Sequence, residues 1–204
     1  MTNEFDLKAR EWDKNQMHVE RASAIAQAIE KLIPINKHMK ALEFGAGTGL
    51  LSFMLADRLG EITLVDNSTE MINVVKGKIS GQEMHHMKPV LINLEKEDYP
   101  EHFDIIYSQM VLHHVNDVSG ILKKFFQMTN PDGYLAIADL YTEDGLFHGE
   151  GFTGHKGFDA DLLAKELADY GFKNVSHQTC FTIQKVTEQG TMKNFPVFLI
   201  VAKK

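Results

Sequence analysis

Residues 41–52 read Ala-Leu-Glu-Phe-Gly-Ala-Gly-Thr-Gly-Leu-Leu-Ser: an apolar run through an acid into three alternating glycines, then a helical pattern. Glycines let the backbone turn tightly and let a ligand approach to a distance that any Cβ would block. The helix that follows offers N–H groups without intrahelical partners. A nucleoside-type ligand fits such a turn. The spacing is G-x-G-x-G, with Leu50 where the dinucleotide fingerprint wants its third glycine, and the Lys-Ser/Thr pair of a phosphate-hydrolysing loop is missing. Glu43, just before the loop, would repel a pyrophosphate and attract an ammonium or sulfonium group. The next apolar run, Ile62-Thr63-Leu64-Val65, ends in Asp66, about 20 residues beyond the loop, where a carboxylate can accept both hydroxyls of a ribose. Ser68 is placed to cap the following helix, which leaves Asp66 free for a ligand.

A second group of reactive side chains follows the apolar run 103–108, where His113 and His114 stand in tandem. Histidine can act as a general base near neutral pH, and a tandem pair is expected to point one ring inward and one outward. Glu95, Glu97 and Asp98 read as a solvated acidic loop. His148, Glu150 and His155 give only a weak hint of metal-ligand spacing, so no metal site is expected. The one cysteine, Cys180, excludes an internal disulfide framework and thiolate-metal chemistry, and suits a reducing compartment such as the cytoplasm.

Seven strand-like runs position these groups: 40–44, 61–66, 89–93, 103–108, 134–139, about 174–185 and 195–202. Helical patterns run from about Leu50, over 69–79, over 118–129 and over 159–170, and two amphipathic helices precede the first strand and end before Pro34. A turn is expected over 130–133. The alternation of strand and helix predicts a parallel sheet covered on both faces, and the last two strands, joined without a helix, must form an antiparallel hairpin. The fold class is α/β: a Rossmann-like three-layer sandwich with a seven-stranded, mostly parallel sheet. In 204 residues with a net charge of −7 and 44% hydrophobic content there is material for one cored domain. The acidic balance opposes nucleic-acid binding. The longest apolar run, 197–202, is far short of a membrane span, and the N-terminus carries no secretory signal.

The acid, apolar residue and G-x-G-x-G turn, followed by Asp66 and by Phe103-Asp104-Ile105-Ile106-Tyr107-Ser108-Gln109-Met110-Val111-Leu112-His113-His114-Val115, resemble the motifs of class I S-adenosylmethionine-dependent methyltransferases of the small-molecule type. The likeness runs from about Phe5 to Lys204. It implies S-adenosylmethionine as cofactor and S-adenosylhomocysteine as product. Glu43, Gly45, Ala46, Gly47 and Gly49 would lie around the amino-acid end, Asp66 and Asn67 at the ribose, and Met71 on an adenine face, although Met71 reads equally well as core filler. Asn93, where many members carry Asp, would meet the adenine amine and Leu94 a ring nitrogen through its backbone, while Ser108 and Gln109 flank the methionine end. Asp104 would be structural.

The resemblance also implies that residues 1–204 form a single methyltransferase domain, with helices in 1–39 covering the active site of a 40–204 core, and that the glycine- and aromatic-rich segment 141–158 helps to form the acceptor pocket. Methyl transfer is an in-line displacement that needs alignment and exclusion of water. A hydroxyl or protonated amine acceptor also needs a base, for which His113, His114, His155 and Tyr141 are the candidates; a thiol needs none. The expected partner is a small-molecule acceptor, with no nucleic acid or membrane involved. A noncatalytic S-adenosylmethionine-binding module and a protein methyltransferase remain open alternatives, while Leu50 and Glu43 oppose an NAD-dependent oxidoreductase.

Overall fold

A computed structural model describes residues 4–204, so the N-terminal reading lies outside it where it rests on residues 1–3. Seven strands form one sheet in the order β3-β2-β1-β4-β5-β7-β6: β1 Lys40–Phe44, β2 Glu61–Asp66, β3 Met87–Leu91, β4 Phe103–Gln109, β5 Thr129–Leu140, β6 Lys173–Val186 and β7 Met192–Lys203. Pairing is parallel from β3 through β5, and β7 inserts antiparallel between β5 and β6. The three-layer α/β architecture and C-terminal hairpin follow the sequence pattern. Among the described residues no helix is long and apolar enough to cross a membrane.

Side chains alternate across the sheet with period two and build two cores. Ala41, Ile105, Tyr107, Ala136, Ala138, Val197 and Leu199 face helices α2 (Gln16–Leu32) and α3 (Leu50–Leu55). Leu42, Ile106, Leu135, Ile137, Phe198 and Ile200 face α5 (Val118–Met128) and α6 (Ala160–Tyr170). Each fully buried Leu or Phe contributes roughly 1.5–3 kcal/mol. Helix α4 (Thr69–Gln82) flanks β2 and β3 and is capped as expected, the Ser68 hydroxyl accepting from Met71 N–H at 3.2 Å.

Three boundaries differ from the sequence pattern. The chain ahead of α2 is a short α1 (Glu4–Lys8) followed by a 3-10 turn, Ala9–Lys14, rather than a full amphipathic helix. Strand β3 ends at Leu91, so Asn93 lies in a turn, where its side chain accepts from Glu95 N–H at 3.0 Å. The expected turn at 130–133 is absorbed into β5: Thr129 already pairs with Phe103, and the register shifts before Ile105 meets Tyr134. Asp132, at φ +62°, takes up the extra length.

Asp104 anchors the end of the sheet remote from the glycine turn, accepting from Lys40 N–H and from the Asn130 side-chain amide, both at 2.8 Å. Replacing it with Ala leaves two donors unpaired. Asp104→Ala is expected to lower stability by about 1–3 kcal/mol in denaturant unfolding, with ligand binding at the far end of the strands unchanged.

Candidate active site

Gly45, Gly47 and Gly49 hold φ values of +64°, +54° and +78° between β1 and α3, a left-handed succession that side chains other than glycine resist. A Cβ on Gly45 would come within 2.3 Å of Val111 Cγ2, whereas one on Gly47 would meet only Met71 Sδ at 3.9 Å and otherwise open space. The turn is fixed from β2: Asp66 accepts from Gly47 N–H at 2.7 Å with one carboxylate oxygen and from Ser68 N–H at 2.8 Å with the other. Asp66 is therefore not left uncommitted by the Ser68 cap. Asp66 also lines the opening beside the turn. Burial raises its pKa, against the amide bonds from Ser68 and Gly47 that lower it.

Beneath the turn, Glu43 is wholly buried and does not face the opening. Its Oε2 accepts from Ser52 Oγ at 2.5 Å and from Ser52 N–H at 3.2 Å, and Ser52 Oγ bonds Tyr107 Oη at 2.7 Å. Its Oε1 has no partner. Burial pushes this carboxyl up to about 8, against the lowering effect of the Ser52 bonds. Any attraction for a cation at Glu43 would have to act from behind the loop, through a carboxyl that burial keeps mostly protonated at neutral pH. The cradle open at Gly47 leaves room for a ligand above the turn.

The N-terminal segment is strapped across this turn. Asp13 accepts from Thr48 Oγ1 at 2.5 Å and from Lys78 Nζ at 2.9 Å, and Lys78 also donates to the Thr48 carbonyl. Asp6 accepts from Ser68 Oγ at 2.6 Å. Beside the turn a pocket of about 70 Å³ is lined by Gly45, Asp66, Asn67, Asn93, Leu94 and His114, with Val111 and Val115 also in its wall. Cofactor sites span ~300–1,000 Å³, so this pocket admits a nucleoside only as its walls part. Met71 is buried under the loop; Ser108 and Gln109 lie at the end of β4, the Ser108 hydroxyl and Gln109 Oε1 buried and without partners.

Past the end of β4 the chain turns sharply. Met110 sits at φ +54°, a strained conformation for a side-chain-bearing residue, and swings β4 into the 3-10 turn Leu112–His114. Both histidine rings end in one cluster, 4.3 Å apart. His113 is buried and bonds Asp139 Oδ1 through Nδ1 at 2.6 Å, while its N–H donates to Asp139 Oδ2 at 3.2 Å. His114 faces the pocket, edge-on to Phe5 at 5.1 Å. His148 arrives from the 141–158 segment and lies 5.0 Å from His113 and 5.3 Å from His114, stacked on Phe152 at 3.8 Å. Burial, reinforced by the neighbouring imidazoles, lowers His114 to about 4 and His148 to about 3.

The other two proton-acceptor candidates are not brought here. His155 Nε2 is tied to the Val115 carbonyl at 3.0 Å, and Tyr141 packs edge-on to Phe198 with its hydroxyl near Thr179. The sequence does not single out Asp139, although an acid ending the apolar run 134–140 needs a buried partner. His148 reads there only as a weak metal-spacing hint with Glu150 and His155; loop closure brings it instead to His113 and His114.

The family model for a methyltransferase domain matches residues 17–177. An uncharacterised methyltransferase of Schizosaccharomyces pombe is 27% identical over 72% of this chain and 50% of its own length. Phosphoethanolamine N-methyltransferase 1 of Zea mays is 28% identical over 76% of this chain and 32% of its own. The chain thus spans half or less of these curated relatives. Among solved structures, the N-methyltransferase NodS of Bradyrhizobium japonicum, in complex with S-adenosylhomocysteine, superposes with a TM-score of 0.70 at 17% identity, over 95% of this chain and 90% of NodS.

The ionisation of Glu43 has a measurable consequence. A carboxyl whose pKa is raised by folding contributes no penalty below its unfolded value near 4.5, and its stability contribution is lost as pH climbs toward 8. Relative to the wild type, Glu43→Gln is expected to gain about 1 kcal/mol per pH unit across that window, read from denaturant midpoints at several pH values. A pH-independent difference would place the ionisation elsewhere.

Proposed function

The chain belongs to the methyltransferase-domain family, and from that premise we propose that it is an S-adenosylmethionine-dependent methyltransferase acting on a small-molecule acceptor. The observation that carries the reading is the glycine turn tied to Asp66 by Gly47 N–H, opening onto a pocket that ends at His114. When bound, the cofactor supplies a sulfonium-borne methyl group for in-line displacement, with S-adenosylhomocysteine as product. Gly45, Ala46, Gly47 and Gly49 cradle its amino-acid end, with Glu43 behind them. Asp66 and Asn67 hold the ribose, Asn93 and Leu94 meet the adenine, Met71 supports the loop from below, and Ser108 and Gln109 border the methyl.

Residues 40–204 form the cofactor-binding core of a single domain, and the described residues of the N-terminal part, 4–39, cover it. The acceptor seats between the Phe5 to Trp12 segment and the 141–158 loop, whose aromatic rings exclude water from the transfer. Of the four side chains considered for the acceptor's proton, His114 lines the pocket and therefore meets the acceptor first. A small acceptor is supported by the enclosure of the histidine cluster under the loop and by the maize relative, which is named for phosphoethanolamine.

Calorimetry with S-adenosylmethionine, S-adenosylhomocysteine and NAD tests the cofactor: the first two are expected to bind and NAD not to. Gly47→Val fills the open cradle and strains a left-handed residue, and Asp66→Ala removes both the ribose acceptor and the loop clamp. Each is expected to weaken S-adenosylmethionine binding at least ~100-fold, about 3 kcal/mol. Wild-type affinity in either folded variant, or a preference for NAD, would overturn the reading.

A further inference from the structure

His113, His114 and His148 each offer one ring nitrogen, and the three nitrogens lie within 4.8 Å of one another. The surrounding structure is organised to hold them so. His113 Nδ1 is committed to Asp139 at 2.6 Å, which leaves Nε2 as its nitrogen for an ion, on a ring 4.3 Å from His114 and 5.0 Å from His148. A carboxylate behind a ligating imidazole, fixing its tautomer and raising its basicity, is the usual support of a metal-bound histidine. His148 Nε2 is buried and without a hydrogen-bond partner, a costly arrangement for a polar atom unless something completes it.

The loop that delivers His148 is fastened at several points. Glu143 accepts from Gly145 N–H at 2.7 Å and Phe147 N–H at 3.1 Å, Lys185 holds the Phe147 carbonyl, and Glu188 accepts from Glu150 N–H at 3.2 Å. Gly154 makes the closest approach, where a Cβ would lie 2.4 Å from the His113 carbonyl oxygen. His155 N–H donates to that same carbonyl at 2.8 Å. The loop is thus stitched directly to the turn that carries the other two histidines.

We propose that His113, His114 and His148 form a binding site for a divalent transition-metal ion of the zinc class, with Asp139 as its supporting carboxylate. A tetrahedral ion with bonds of about 2.0–2.1 Å to nitrogen wants its ligands about 3.3 Å apart, so the cluster closes by at most ~1.5 Å, within reach of small side-chain rotations. Three imidazoles select zinc, cobalt, nickel, copper or iron over magnesium and calcium, which prefer oxygen. Three protein ligands leave a fourth position open. Because His114 also lines the pocket beside the glycine turn, that position belongs to a water or to a hydroxyl, thiol or carboxylate of the acceptor. This last step rests on the methyltransferase reading above; the ion site itself does not.

The test uses the full chain, stripped with a chelator, and titrated with Zn2+ by calorimetry and with Co2+ by visible absorption. One ion per chain is expected, with a Kd of about 1 µM or tighter, and an intense tetrahedral-type Co2+ spectrum. His148→Ala and His114→Ala are each expected to weaken binding at least ~100-fold, and Asp139→Asn ~10–100-fold, with unfolding curves confirming that the variants fold. His148 is partly exposed, so its variant stands even if substitution at buried Asp139 unfolds the chain. Absence of binding overturns the site, as does affinity unchanged in His148→Ala and His114→Ala, or loss of binding in His85→Ala instead. S-adenosylmethionine binding to the stripped protein is measured in parallel: its absence with metal binding intact would count against the methyltransferase reading alone.

Discussion

The functional end of this protein depends on one carboxylate, Asp66, which joins two strand-to-helix turns by accepting from Gly47 N–H and Ser68 N–H. Burying an acid there is costly, and the two backbone donors offset that cost by satisfying both oxygens. The bond to Gly47 holds the glycine turn in its left-handed path and keeps the space above it open. The two turns so joined then become the platform for the N-terminal segment, since Asp6 lands on the Ser68 hydroxyl and Asp13 on the Thr48 hydroxyl and Lys78. Loop, pocket and cover are coupled through that short chain of hydrogen bonds, so what disturbs Asp66 reaches all three.

A second polar centre forms where β4 and β5 end, and the logic is similar. Asp139 is buried and must be satisfied, and it takes the ring and the backbone N–H of His113 together with Leu140 N–H at 2.7 Å. The strained backbone at Met110 is the local cost of turning the chain to make those bonds. The parallel sheet explains why both centres are neighbours: β1, β2, β4 and β5 all deliver their carboxyl ends to one edge, and the turns after them share the crevice outside it. Nearby, Arg21 is buried with its Nε unpartnered, and desolvation lowers it to about 10 against the stabilising field of Asp139. This side of the crevice is therefore rich in polar groups that packing has stripped of water, which strengthens electrostatic contacts made there.

The sequence by itself determined what depends on neighbours along the chain. Short apolar runs between helical patterns identified the strands, the C-terminal hairpin followed from two strands without an intervening helix, and the glycine spacing with Asp66 and Ser68 marked a nucleoside turn and its helix cap. Even the structural role of Asp104 was legible, because an acid at the start of an otherwise apolar strand needs donors at that edge. Where the reading failed, local rules competed with contacts made across the fold. The 130–133 segment keeps its turn chemistry as a bulge inside β5, between the Thr129–Phe103 and Tyr134–Ile105 pairs, and Asn93 satisfies Glu95 N–H in a tight turn rather than extending β3. Glu43 reads as an acid just before the loop, and only its place in a central strand shows that it lies under that loop, bonded to Ser52. What tertiary structure alone decided was the histidine cluster. His113 and His148 are separated by a helix and a strand, and no spacing rule links them; closure of the 141–158 loop through Gly154 and His155 onto the His113 carbonyl brings their rings together. Sequence fixes which groups carry the chemistry of each turn, and long-range packing, which must satisfy every buried donor and acceptor at once, decides which of them meet.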